Sequence, residues 1–211
     1  MRRNSKETRK RILKAVGRLL ARSGFRGVGI NSIAQEARVD KVLIYRYFGG
    51  LSKLLEAYAK EGDFWPSKEE LLAAARESGA QTDVERAAAL LVAFGRALRR
   101  RPITQEIMRW ELLEKNALTG ALAEYREKES RELLSAFAGM KGVDVAAIAA
   151  LLAAGQTYLI LRSKTADVYN GIQLGNDGDW SRVEQALTLL LNLIGKQHSA
   201  APVTTSVEPA P

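Results

Sequence analysis

Residues 40–48, "DKVLIYRYF", place two cations among three aliphatic and three aromatic side chains. A core helix keeps such apolar groups and buries no charge, whereas a solvated helix does the reverse. Set out at about 100° per residue, the stretch separates into two faces. Ile44 and Phe48 lie on one side, and Val42 and Arg46 lie on the other, flanked by Tyr45 and Leu43. The first pair can pack on neighbouring helices, which leaves Val42, Tyr45 and Arg46 facing outward and Lys41 in the first turn. An outward valine and tyrosine beside an arginine suit the DNA major groove. There a methyl meets the thymine methyl, a tyrosine reaches a base or a phosphate, and an arginine donates to guanine or to phosphate. The plainer reading is a core helix with two surface cations.

The flanks supply the boundaries of this helix. Asp40 can accept the free amide hydrogens of its first turn, and Gly49 and Gly50 close it. Upstream, Ile33, Ala34 and Ala37 share one side of a short helix from about Ile30 to Ala37. Two short helices a few residues apart make a helix-turn-helix. Before them, Ile12, Val16 and Leu19, with Leu13 and Leu20 beside them, form an apolar stripe over Ser5 to Ser23. Asn4 and Glu7 have capping-box spacing at its start, and Gly24 stops it.

Downstream, a longer helix begins at Ser52 and breaks in "EGDFWPSKEE", residues 61–70, where Pro66 cannot sit inside a helix and Ser67 with Glu70 makes a second capping box. Further helices are predicted at roughly 67–77, 83–101, 103–116, 119–138, 143–168 and 179–195. They are separated by Gly79, Pro102, residues 116–119, Gly142 and "NGIQLGNDGD" at 170–179. No alternating strand is evident. The fold expected is all-α, with nine or ten helices: a three-helix DNA-binding domain at 1–52, a helical effector-binding and dimerisation domain at 53–196, and a disordered tail at 197–211.

Charge divides the chain in the same place. Residues 1–60 hold 15 Lys and Arg against four Asp and Glu, and residues 61–211 hold 17 against 20. A basic head on a mildly acidic body is the footprint of nucleic-acid binding by the head. There are no cysteines, and the single histidine, His198, lies in the tail segment. Thiolate nucleophiles, disulfides and sulfur-ligated metals are thereby excluded, and no cofactor or metal is expected. Glu111 and Glu114 stand one turn apart, but without a nucleophile or phosphate loop an enzyme is not expected. The apolar run "VAAIAALLAAGQTYLIL", residues 145–161, is at the short limit for a membrane span and is read as a helix buried by protein on most sides. The N-terminus lacks the apolar core of a secretory signal, so the expected location is cytoplasmic, with no membrane partner.

The run "GFRGVGINSIAQEARVDKVLIYRYFGGLSKLLEAY", residues 24–58, resembles the DNA-binding domain of the TetR family of transcription regulators. The shared features are the Gly-Phe after the first helix, "IAQEA", the capped turn, "IYRYF" and a downstream "KLL". The resemblance implies a third helix inserted in the major groove, with Lys41, Val42, Tyr45 and Arg46 facing bases and Tyr47 contacting phosphate. Gly29 to Asn31 and the pair Ser52 and Lys53 would grip phosphate on either side. It also implies a homodimer that binds an inverted-repeat operator in double-stranded DNA and is released by a small-molecule effector, as repressors of this kind are. Three positions depart from the family pattern: Gly29 where Thr or Ser usually caps, Arg38 where the turn usually holds glycine, and Leu51 where lysine is usual.

The body supports a dimer on its own account. Residues 143–168 are apolar on nearly every side, and the last predicted helix carries Val183, Leu187, Leu190, Leu191 and Ile194. A single chain has only one interior for both, so a second copy is the economical partner. Trp65, Phe94, Trp110, Glu111 and Tyr158 are the candidate effector-pocket residues, although a plain core position is the simpler reading for each aromatic. The run Arg99 to Arg101 reads either as an anion site or as a cationic helix C-terminus. A DNA-binding regulator without a small-molecule effector is the alternative function.

Overall fold

The computed structural model describes residues 2–61, 64–113, 115, 117–134 and 144–199. Ten α-helices account for most of them: α1 (Arg2–Ser23), α2 (Ile30–Ala37), α3 (Lys41–Phe48), α4 (Leu51–Glu61), α5 (Lys68–Glu77), α6 (Asp83–Arg99), α7 (Pro102–Glu111), α8 (Ala117–Leu134), α9 (Val145–Arg162) and α10 (Asp177–Ser199). A 3-10 turn, Phe25–Gly27, follows α1. The all-α expectation holds, with one addition.

That addition is a small antiparallel hairpin, β1 (Val168–Tyr169) and β2 (Ile172–Gln173), with Val168 opposite Gln173 and Tyr169 opposite Ile172. Two residues per strand are too few for an alternating pattern to register. The signal lay in the turn: Asn170 and Gly171 both take positive φ, 47° and 79°. Asn-Gly is the pair favoured where a hairpin turn needs two left-handed residues.

Several boundaries differ from the sequence reading. Helix α1 starts at Arg2, so its first turn precedes the start expected at Ser5. At Ser67 only half of the capping box forms. Its hydroxyl accepts from Glu70 N at 3.1 Å, but the Glu70 carboxylate is held by Arg101 at 2.5 Å. The complete box is at Thr82 and Glu85, which opens α6. Helix α7 stops at Glu111 rather than continuing to 116, and α10 begins earlier and runs further, taking in residues 197–199. Glu114, Gly142 and residues 200–211 of the expected tail lie outside the described residues.

One core joins α1, α2, α3 and α4 through Ile12, Val16, Leu20, Ile33, Ile44, Phe48, Leu54 and Tyr58. It continues into the body through Phe64, Ile107 and Leu122, because α1 packs on α7 and α4 on α8. A second core lies between α5 and α6, and a third gathers Leu98, Ile160, Leu174 and Trp180. Both α9 and α10 pack on α6. Gly95 makes the α9 contact possible: a Cβ there would stand 2.1 Å from Gln156 Oε1, whose side-chain amide donates to Leu91 O at 3.1 Å.

Helix α9 corrects the expectation of burial on most sides. Within one chain only Gln156 and Ile160 are fully buried, and Leu151 is 75 % exposed. Alanine-rich helices are apolar all round whether or not their own chain covers them, so composition could not distinguish the two. This helix is also the one among the described residues long and apolar enough to cross a membrane by length and composition. The three arginines at the end of α6 are engaged with carboxylates: Arg99 with Asp177 at 2.6 Å, Arg101 with Glu70 at 2.5 Å and Arg100 with Glu70 at 3.7 Å.

Candidate nucleic-acid interface

The turn between α2 and α3 sets the angle at which α3 is presented. Arg38 caps α2 in the left-handed region (φ 52°, ψ 53°), a conformation that glycine takes without cost and arginine takes with some strain. Its N–H donates to Gln35 O at 3.1 Å, and Val39 N donates to Ala34 O at 3.0 Å. Asp40 then caps α3, with its Oδ1 accepting from Val42 N at 2.8 Å. Gly49, at φ 80°, ends α3 by donating to Tyr45 O.

On this short helix the two expected faces separate cleanly. Ile44 is fully buried and Phe48 is 7 % exposed, while Val42 and Tyr45 are 62 % and 55 % exposed. Lys41 and Arg46 are exposed beside them. Asn31, at the start of α2, and Ser52 and Lys53, at the start of α4, are also exposed, whereas Gly29 and Tyr47 are half-buried. Gly29 is an extended N-cap with no side chain to offer. Ser32 compensates in part, its hydroxyl oxygen lying 2.9 Å from Gly29 N as acceptor and 2.9 Å from Gly27 O.

Two ionic ties hold the helices in place, and neither was foreseen from the sequence. Arg9 of α1 forms a forked pair with Glu61 at the end of α4 (2.6 and 3.1 Å) and donates to Tyr47 O at 3.2 Å. Its guanidinium lies 4.4 Å over the Phe48 ring, so one side chain connects α1, α3 and α4. Arg18 and Arg22, one turn apart on α1, both pair with Glu36 of α2, at 2.7 and 3.2 Å. The hydrogen bond from Arg18 is the main reason the Glu36 carboxyl sits below its ordinary value, with Arg22 assisting. The i, i+4 spacing of Arg18 and Arg22 was visible, but a partner 14 residues beyond Arg22 is a tertiary fact.

The five candidate effector-pocket residues fall in two places. Trp65 and Phe94 meet as tilted rings with centroids 5.4 Å apart, and Arg126 lies over Trp65 at 5.5 Å while pairing with Glu111 at 2.6 Å. Burial raises the Glu111 carboxyl above its ordinary value and outweighs the pull of Arg126. This cluster is a packed interior. Trp110 and Tyr158 instead line a groove of about 540 Å³ between the ends of α1, α7 and α9, with Arg22, Arg109 and Arg162 at its edges. Trp110 also lies against Gly24, where a Cβ would come within 2.8 Å of its ring.

Residues 12–58 match a family model described as "Bacterial regulatory proteins, tetR family". A comparison with curated protein sequences finds no match. Among solved structures, a TetR family transcription regulator from Marinobacter aquaeolei VT8 is similar at a TM-score of 0.64 and 17 % identity, covering 91 % of this chain and 97 % of its own. A putative TetR-family transcriptional regulator from a Rhodococcus species gives 0.61 and 20 %, covering 90 % and 98 %. One from Streptomyces coelicolor gives 0.61 and 16 %, covering 92 % and 90 %. At such identities the structures speak to the fold of the whole chain, and the family model speaks to its head. The chain therefore carries a TetR-family helix-turn-helix DNA-binding domain at its N-terminus, joined to a helical body with the fold of TetR-family transcription regulators.

Proposed function

We propose that this protein is a cytoplasmic repressor that binds an inverted-repeat operator as a homodimer and leaves it when a small molecule binds the body. The observation that carries the reading is the outer face of α3: a valine and a tyrosine more than half exposed, between Lys41 and Arg46, on a helix pinned by Ile44 and Phe48. Lys41, Val42, Tyr45 and Arg46 are the base-facing set. Gly29, Asn31, Tyr47, Ser52 and Lys53 supply the flanking grip on phosphate, with Tyr47 doing so from a half-buried position.

The dimer reading draws on apolar surface that one chain leaves uncovered. Leu151 of α9 and Leu189, Leu190 and Leu193 of α10 are 75 %, 59 %, 48 % and 50 % exposed. Of the leucines singled out in the sequence, Leu187 and Leu191 turn inward, so the outer stripe of α10 is Leu189, Leu190 and Leu193. Contiguous leucines at this exposure are characteristic of an interface between protomers. Two heads would then read half-sites about 34 Å apart, or a multiple of that.

The domain division follows the same reading, with residues 1–52 as the reading head and 53–196 as the effector and dimer body. Operator identity is tested by selecting bound fragments from genomic DNA, and an inverted repeat recovered from independent fragments is the expected result. The effector is tested by thermal shift against a metabolite library: a compound that both stabilises the protein and lowers operator affinity is expected. Intact operator binding with no stabilising compound would favour the alternative, a regulator controlled by a protein partner or by abundance.

A further inference from the structure

We infer that the groove between α1, α7 and α9 binds an amphipathic organic anion, a single carboxylate on an apolar body, and that this ligand acts on the head by competing for Arg22. The inference rests on the ligand-responsive reading above and names the ligand class and its route to the DNA-binding helices. Much of the groove's lining is apolar: Trp110, Tyr158 and Leu161 contribute to it together with Leu112 and Leu113, 79 % and 78 % exposed. A volume of about 540 Å³ fits one such molecule.

The charge around it is one-sided. Three arginines border the groove against one carboxylate, Glu106, and that carboxylate is already held by Arg109 at 3.1 Å. Among the described residues the Arg162 guanidinium donates to the Thr165 hydroxyl, at 3.4 Å, and pairs with no carboxylate. An anion here would gain a forked partner without displacing a carboxylate from Arg162. An uncharged ligand of the same shape would gain only the apolar contacts.

The same groove touches the head twice. Arg22 contributes to its edge while its Nη2 donates to Glu36 of α2 at 3.2 Å, so an incoming carboxylate and Glu36 would share one guanidinium. Trp110 forms part of the lining and also lies against Gly24, at φ 62°, where even a methyl group would be 2.8 Å from the ring. A ligand that shifts either contact changes how α1 and α2 are held, and α2 carries the turn that aims α3.

The test is calorimetric titration of the full chain with decanoate and with decan-1-ol, below the aggregation limit of each. Decanoate is expected to bind at least about tenfold more tightly than the alcohol, and Arg162→Ala to remove most of that difference. Arg162 is exposed in the single chain but shares a face of α9 with Leu151, so the folding and the dimeric state of the variant are checked by a thermal melt and by size-exclusion chromatography. Arg100→Ala, in a separate depression that Arg96, Arg99 and Arg100 line between α6 and α10, should leave binding unchanged. Glu36→Gln should tighten decanoate severalfold by releasing Arg22. Equal binding of acid and alcohol, an Arg162→Ala variant indistinguishable from wild type, or no decanoate binding would each overturn the site. Unchanged affinity in Glu36→Gln would overturn the competition for Arg22. Operator binding, measured separately by gel shift, distinguishes these failures from failure of the regulator reading itself.

Discussion

The head and the body handle their carboxylates in opposite ways. Glu36 in the head lies at a partly wetted seam and is held by two arginines from one helix, which lowers its carboxyl below the ordinary value. Glu111 in the body is 9 % exposed at its side chain and faces one arginine, and desolvation raises it despite the pair. The first arrangement ties two helices together where water screens the charge. The second places charge in an interior that resists it, and its removal takes from Arg126 the carboxylate it pairs with over the Phe64 and Trp65 rings. Positioning dominates in the head and packing in the body.

The largest test of that contrast is Glu111→Ala, expected to cost about 2–3 kcal/mol of stability because it takes the carboxylate from a part-buried guanidinium, read by chemical denaturation. Glu36→Ala should move the denaturation midpoint much less. If the two losses were equal, the distinction between seam and interior would fail. Next come Tyr45→Ala and Arg46→Ala, each expected to reduce discrimination between operator and random DNA by about 1–3 kcal/mol while leaving stability within about 0.5 kcal/mol. Competition gel shifts and thermal melts on the same samples check both halves.

Lys53→Ala should weaken operator and random DNA alike and lower the slope of log K against log salt by about one. A loss confined to the operator would make Lys53 a reader of sequence instead of a grip on phosphate. The smallest expected effect is in the pH dependence. The lowered carboxyl of Glu36 contributes stability above its ordinary pKa of 4.5, and that contribution is lost as pH falls through the lower folded value. Glu111 has the opposite sign: its contribution is fullest below 4.5 and declines as pH rises through the raised folded value. Across pH 3 to 7, Glu36→Gln and Glu111→Gln should therefore run closest to parallel with wild type at the acid end and depart from it in opposite directions toward pH 7, with Glu36→Gln losing stability relative to wild type and Glu111→Gln gaining it.

The head was legible because each of its residues answers to two constraints. Ile44 must face the core and Tyr45 must not, and a period of 3.6 residues separates them within one turn. The limits of α2 and α3 and the Asp40 cap followed from local chemistry of that kind, whereas the left-handed position at Arg38 was marked only by the resemblance, which puts glycine there. The body obeys no such local code. Its aromatics were visible, but whether Trp65 meets Phe94 or Trp110 meets Gly24 depends on how α1, α6 and α7 pack, which periodicity does not carry. The same holds for α10, where leucines one position apart, Leu190 and Leu191, go to opposite environments. Arg9 was hidden for a third reason, since a cation in a basic helix reads as a surface charge until its partner 52 residues away is known.

The close fit of Trp110 against Gly24 leaves no room for a side chain between α7 and the root of the head. In a dimer, each head would be set on its body by that contact together with the shared core, and the distance between two reading helices would depend on that seating as well as on the helices themselves. Half-site spacing would then be set in part by an indole ring that never approaches DNA, and a substitution at Gly24 would alter which operators fit without touching a single base contact.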